Sequence, residues 1–115
     1  MKRIDGKTLE NNVVNIFNAK GAKPEHSALV AELLIKAELA GYGSHGVGRV
    51  RQYVNCIKSK ILDPVAVPQV IKDLPSVARV DGRRAFGQVV AKATMEVAIA
   101  KAKGIQWSAL AIGQP

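Results

Sequence analysis

Gly41-Tyr42-Gly43-Ser44-His45-Gly46-Val47-Gly48 is the stretch on whose reading the fold turns. It holds four of the chain's ten glycines and one of its two histidines, and Arg49 and Arg51 follow closely. Gly41 to Gly46 spells G-x-G-x-x-G, a pattern that cradles a pyrophosphate when a buried strand enters the glycines and a helix leaves them. The residues entering here run from Glu25 to Ala40 and are rich in Ala and Leu, with apolar side chains at Ala28, Ala31, Leu34, Ile35 and Leu39. Steps of three and four residues over about four turns mark a helix. Pro24 suits a first helical position and Gly41 a helix C-cap. A helix, not a strand, runs into the glycines, so the Rossmann reading is rejected.

Working outward, the first half of the chain reads as helical. Thr8 is placed to cap a helix carrying Leu9, Val13, Val14, Ile16 and Phe17, ending at Gly21. A third helix begins near the glycine segment with Val50, Tyr53, Val54 and Ile57 on one stripe, and Asp63-Pro64 stops it. The second half changes character. Val65 to Ile71 is rich in Val but interrupted by Pro68, which has no N–H to donate, so it reads as an edge strand at best. Asp73-Leu74-Pro75-Ser76 reads as a turn, Val77 to Val80 as a short strand and Asp81-Gly82 as its end. Gly87 to Lys103 is an amphipathic helix, with Val90, Ala93, Val97 and Ala100 inward and Gln88, Lys92, Glu96 and Lys103 outward. Ile105 to Ile112, with Trp107, reads as a last strand. The expected fold class is mixed α+β (α/β): N-terminal helices, a small mixed sheet and an amphipathic helix in a single domain over residues 1–115.

Composition bounds the function. A chain of 115 residues has room for one modest core, and 48% hydrophobic content argues against disorder. No apolar run is long enough to cross a bilayer and no signal-peptide core follows Met1, so the expected location is cytoplasmic, with no membrane partner. The single cysteine, Cys56, falls within a helix and reads as a packing residue; no zinc-ligand spacing or other metal site is present. The formal charge of +8 raises nucleic acid as a partner. Against it, the 17 basic residues are scattered and aromatics make up only 4%, so stacking platforms for single strands are missing. A basic protein with an anionic small-molecule substrate is the better reading.

Three residues carry chemistry suited to that substrate. Histidine can give or take a proton near neutral pH, and glycines flanking Ser44 and His45 let a substrate come close. Ser44 can donate to a substrate oxygen. If the chain is helical from His45, Arg49 lies one turn on, on the same face, where its fork can grip a carboxylate while His45 exchanges a proton with the neighbouring carbon–oxygen group. Tyr53 extends that face by another turn. No acidic orienter for His45 stands close in sequence. His26, in the first turn of its helix, and Arg51, Lys58 and Lys60 read as solvated, and Trp107 as core.

The series Ala37-Glu38-Leu39-Ala40-Gly41-Tyr42-Gly43-Ser44-His45-Gly46-Val47-Gly48-Arg49-Val50, with Tyr53 after it, resembles the opening motif of the type-2 malate/L-lactate dehydrogenase family. That family also includes ureidoglycolate, sulfolactate and diketogulonate enzymes and reductases of cyclic imino acids such as piperideine-2-carboxylate. The resemblance continues through Ile61-Leu62-Asp63-Pro64, Pro68, Val80-Asp81-Gly82, Phe86-Gly87-Gln88 and the Ala93-Thr94-Met95-Glu96-Val97-Ala98 helix. It implies NAD- or NADP-dependent oxidation or reduction of a small 2-oxo, 2-hydroxy or 2-imino acid on a non-Rossmann fold. It implies that Ser44 and His45 line the substrate site, with His45 exchanging the proton, that Arg49 binds the carboxylate, and that Tyr53 helps form the pocket. It also implies a homodimer.

The departures from the family pattern set further expectations. Family members are much longer, and where they carry an Asn-Ser-x-His motif this sequence has Gly113-Gln114-Pro115. Their central nicotinamide-binding portion and a later aspartate have no counterpart, and the residue matching Glu38 is usually Asp. The chain therefore reads as a truncated N-terminal portion, inactive alone. The competing readings are a non-catalytic interaction module and a basic nucleic-acid binder.

Overall fold

The structure, a computed structural model, describes residues 3–104. The chain divides into two compact units, Met1–Val65 and Ala66–Pro115.

The first unit is helical: α1 (Gly6–Ala19), α2 (Pro24–Leu39), a 3-10 turn over Gly43–His45, and α3 (Arg49–Lys58). Asp5, not Thr8, caps α1: its Oδ2 accepts the Thr8 N–H at 3.2 Å, which leaves Thr8 in the first turn. The helix ends share one solution. Gly41, at φ +88°, turns the chain out of α2 while Tyr42 N–H donates to Ala37 O (2.9 Å) and Gly41 N–H to Glu38 O (3.0 Å). This is the Schellman arrangement. Gly21 closes α1 the same way. Lys60, at φ 62°, closes α3, so that helix stops before Asp63-Pro64 is reached.

The core of this unit lies where α1 meets α2. Val13 and Phe17 of α1 and Val30, Ala31, Leu34 and Ile35 of α2 are buried. The buried stripe of α2 starts higher than its apolar residues suggest. His26 and Ser27 are buried too, because they sit one turn above Val30 and Ala31 on the same face. His26 is therefore not a solvated histidine, and its Nδ1 and the Ser27 hydroxyl have no hydrogen-bond partner among the described residues. At the other end Leu39 is 78% exposed and Ala28 also faces out. The α3 stripe of Val50, Tyr53, Val54 and Ile57 is half-buried.

The second unit is a hairpin followed by a helix: β1 (Gln69–Asp73), β2 (Ala78–Asp81) and α4 (Gly87–Gly104). Pro68 precedes β1 rather than interrupting it, which suits its missing N–H. The strands pair antiparallel, Gln69 with Asp81 and Asp73 with Ala78, and the register shifts between Val70 and Lys72. Ile71 is the extra residue of this bulge. Ala85, Phe86, Val89 and Val90 are buried, with Thr94 returning its hydroxyl to the Val90 carbonyl. Ala100, expected inward, is exposed. Lys101 reaches Asp73 and the Leu74 carbonyl, tying the end of α4 to the end of β1. The segment from Ile105 to Ile112, including Trp107, lies outside the described residues. Among the described residues no helix is long and apolar enough to cross a membrane.

Candidate active site

Ser44, His45 and Arg49 converge on the turn between α2 and α3. The Ser44 hydroxyl and His45 Nδ1 are 2.9 Å apart. A hydroxyl can donate to a bare ring nitrogen or accept from a protonated one, so this contact serves either tautomer. It leaves Nε2 as the ring nitrogen outside that contact, on an exposed residue.

The helical continuity from His45 to Arg49, the condition for their sharing a face, is broken. Gly46 is extended (φ −98°, ψ −149°) and α3 starts only at Arg49. Arg49 nevertheless returns to the turn. Its Nε donates to the Ser44 carbonyl oxygen at 2.7 Å and its Nη1 to Gln52 Oε1 at 3.0 Å. Nη2 carries no bond among the described residues, so the end of the guanidinium remains available to an anion.

Glu38 and Gln52 contribute to this geometry beyond the residues expected. Glu38, half-buried on the last turn of α2, accepts the Val47 N–H on Oε1 at 3.0 Å. A Cβ built at Gly46 would lie 2.2 Å from Glu38 Oε1 and 2.4 Å from its Cδ and Cγ. Gly46 is thus buried because the Glu38 side chain lies against it. The turn does contain an acid, but that acid holds a backbone amide rather than the imidazole. The sequence signal was a carboxylate at a helix end facing a glycine-rich turn. Gln52 stands three residues after Arg49, the helical spacing that lets the two side chains meet.

Tyr53 goes elsewhere. Its ring centroid is 6.3 Å from that of Phe17, tilted by 31°, which places it against the α1–α2 core. On the neighbouring face of α3 an open cleft of about 480 Å³ is lined by Arg51, Gln52, Asn55 and Cys56 among others. Neither Ser44 nor His45 borders it. Among the described residues no cluster of three His, Cys, Asp or Glu side chains suits a metal ion.

The model of the malate/L-lactate dehydrogenase family matches residues 4–114. The L-sulfolactate dehydrogenase of Methanocaldococcus jannaschii is 34% identical over 93 residues, covering 81% of this chain and 27% of that enzyme. The malate/(S)-sulfolactate dehydrogenase of Methanothermus fervidus is 40% identical over 91 residues, covering 79% of this chain and 27% of its own. The solved malate dehydrogenase of Pyrococcus horikoshii superposes with a TM-score of 0.85 at 36% identity, over 90% of this chain and 30% of that one. The chain thus spans a little over a quarter of the length of these relatives.

Proposed function

The chain belongs to the malate/L-lactate dehydrogenase family, and we propose that its α2–α3 turn forms the acid-binding part of an oxidoreductase site for a small 2-hydroxy or 2-oxo acid. The observation that carries this reading is that His45 and Arg49 are both fastened to Ser44, the imidazole through Nδ1 at its hydroxyl and the guanidinium through Nε at its carbonyl oxygen. Nη2 of Arg49 attracts the substrate carboxylate, and a two-pronged grip uses Nη1 as well once Gln52 yields. The adjacent C2 oxygen then lies toward His45 Nε2. As the hydroxy acid is oxidised, Nε2 takes the hydroxyl proton; as the oxo acid is reduced, Nε2 returns it. Because Nε2 must be bare to take that proton, Nδ1 carries the ring's own proton and donates it to the Ser44 hydroxyl before and after the exchange, so in this reading Ser44 orients the histidine first and touches substrate second. Tyr53, whose ring packs against Phe17, has no part in this grip.

Dehydrogenase chemistry implies NAD or NADP. The G-x-G-x-x-G segment does not fit that dinucleotide: a helix, α2, enters it where a strand would, and the Val47 N–H just after it is already bonded to Glu38. The residues of this turn accordingly act on the acid alone, and the chain by itself is expected to bind the acid without turning it over. Association into a dimer is part of the same reading and is checked by the mass in solution.

The test is calorimetric titration of the chain with L-malate, L-lactate and pyruvate, each beside its methyl ester, with NADH and NADPH absorbance followed in parallel. The acids are expected to bind, the esters to bind at least about tenfold more weakly, and Arg49→Ala to abolish the difference. Equal binding of acid and ester overturns the reading. A homologue outside the malate and lactate group, the solved Δ1-piperideine-2-carboxylate reductase of Pseudomonas syringae, acts on a cyclic imino acid. A cyclic imino acid therefore belongs in the same panel.

A further inference from the structure

We propose that Glu38 is a positioning residue for His45, acting through the backbone of the turn rather than on the ring; this rests on the reading of His45 given above. Three observations converge on it. The Glu38 carboxylate accepts the Val47 N–H at 3.0 Å across nine residues of chain. Its Cγ and Cδ occupy the space that any side chain at residue 46 would need. The turn's other side-chain fastening comes from the opposite helix, where Arg49 Nε holds the Ser44 carbonyl at 2.7 Å.

The turn carrying Ser44 and His45 is therefore clamped at both ends, by a carboxylate from α2 at Val47 and by a guanidinium from α3 at Ser44. Among the described residues the exposed His45 ring has one hydrogen-bond partner, the Ser44 hydroxyl, and the backbone oxygen of that same Ser44 takes the Arg49 fastening. A loose Val47 would let the extended link at Gly46 rotate and carry His45 away from the Arg49 guanidinium. Such displacements of about an ångström are enough to lose roughly a hundredfold in a reaction that depends on orientation. The acceptor oxygen, not the negative charge, performs this task, and the glycine at residue 46 exists to admit the carboxylate.

The experiment compares Glu38→Gln, which keeps the acceptor oxygen, with Glu38→Met, which keeps the length of the side chain and removes the acceptor. The readouts are Val47 amide exchange, the ring ¹⁵N shifts of His45, and the affinity for L-malate, with urea unfolding run alongside. Glu38→Met is expected to speed Val47 exchange about tenfold, to move the His45 ring signals and to weaken L-malate binding. Glu38→Gln is expected to stay close to the parent chain in all three. Unchanged Val47 exchange and His45 shifts in folded Glu38→Met overturn the proposal, as does a Glu38→Gln chain that behaves like Glu38→Met. If Glu38→Met does not fold, Gly46→Ala displaces the carboxylate from the other side. It must then reproduce the Val47 and His45 changes, and unchanged signals there overturn the proposal equally. Absence of L-malate binding in the parent chain would sink the functional reading alone, because the amide and ring readouts judge Glu38 without any ligand.

Discussion

Arg49 donates from Nε to the carbonyl oxygen of Ser44 at 2.7 Å, so one side chain both braces the turn and offers its remaining edge to an anion. A lysine keeps the charge but not the fork. Arg49→Lys is expected to weaken L-malate binding by about tenfold or more, the size of one charge-assisted hydrogen bond, while leaving the urea midpoint nearly unchanged. Calorimetry beside urea titration checks both halves.

Ser44 and His45 Nδ1 stand 2.9 Å apart, and removing the hydroxyl removes the ring's described partner. Ser44→Ala is expected to change the balance of His45 tautomers, seen in the ring ¹⁵N shifts, with L-malate affinity within about threefold of the parent, since the carboxylate is held by Arg49. A large loss of affinity with unchanged ring shifts would instead make Ser44 a direct substrate contact.

Leu34 and Leu39 are the same residue on the same helix, 2% and 78% exposed. Leu34→Ala should cost about 2–5 kcal/mol of stability, and Leu39→Ala less than about 0.5 kcal/mol. Urea unfolding of both variants is the measurement, and similar costs would contradict the packing of α2 described above.

Gly41 sits at φ +88° and Gly43 does not have a positive φ, and both would accept a Cβ without a clash. Backbone strain alone separates them. Gly41→Ala is expected to cost about 1 kcal/mol and Gly43→Ala distinctly less. Equal effects would mean that the Schellman closure of α2 carries no stability.

Much of this was legible in the sequence because it is local. The spacing from Ala31 to Ile35, with Pro24 before it and Gly41 after it, gave a helix, and that helix alone separated the glycine segment from a dinucleotide cradle. Pro68 and the Asp73-to-Ser76 turn placed the hairpin to within a few residues. The errors came from contacts that no local pattern records. His26 was read from its polarity, but its burial follows from its place one turn above Val30. Thr8 and Asp5 are both good caps, and only the bond from Thr8 N–H to Asp5 shows which one serves. A helix from His45 was the condition for His45 and Arg49 to share a face, and the extended Gly46, against which the Glu38 side chain lies, breaks it. Tyr53 shares a helical stripe with Arg49 in the sequence, yet the nearby Phe17 draws its ring to the core.

The most direct test uses the chain's two histidines as probe and internal control. His45 is exposed on the turn and His26 is buried in α2. With both imidazoles labelled with ¹⁵N, L-malate is titrated into the parent chain and into Arg49→Ala. The account predicts that the His45 ring signals move and saturate while those of His26 stay fixed, and that the movement is lost in Arg49→Ala. Ring signals of His45 that ignore L-malate, or that move equally in Arg49→Ala, would contradict it.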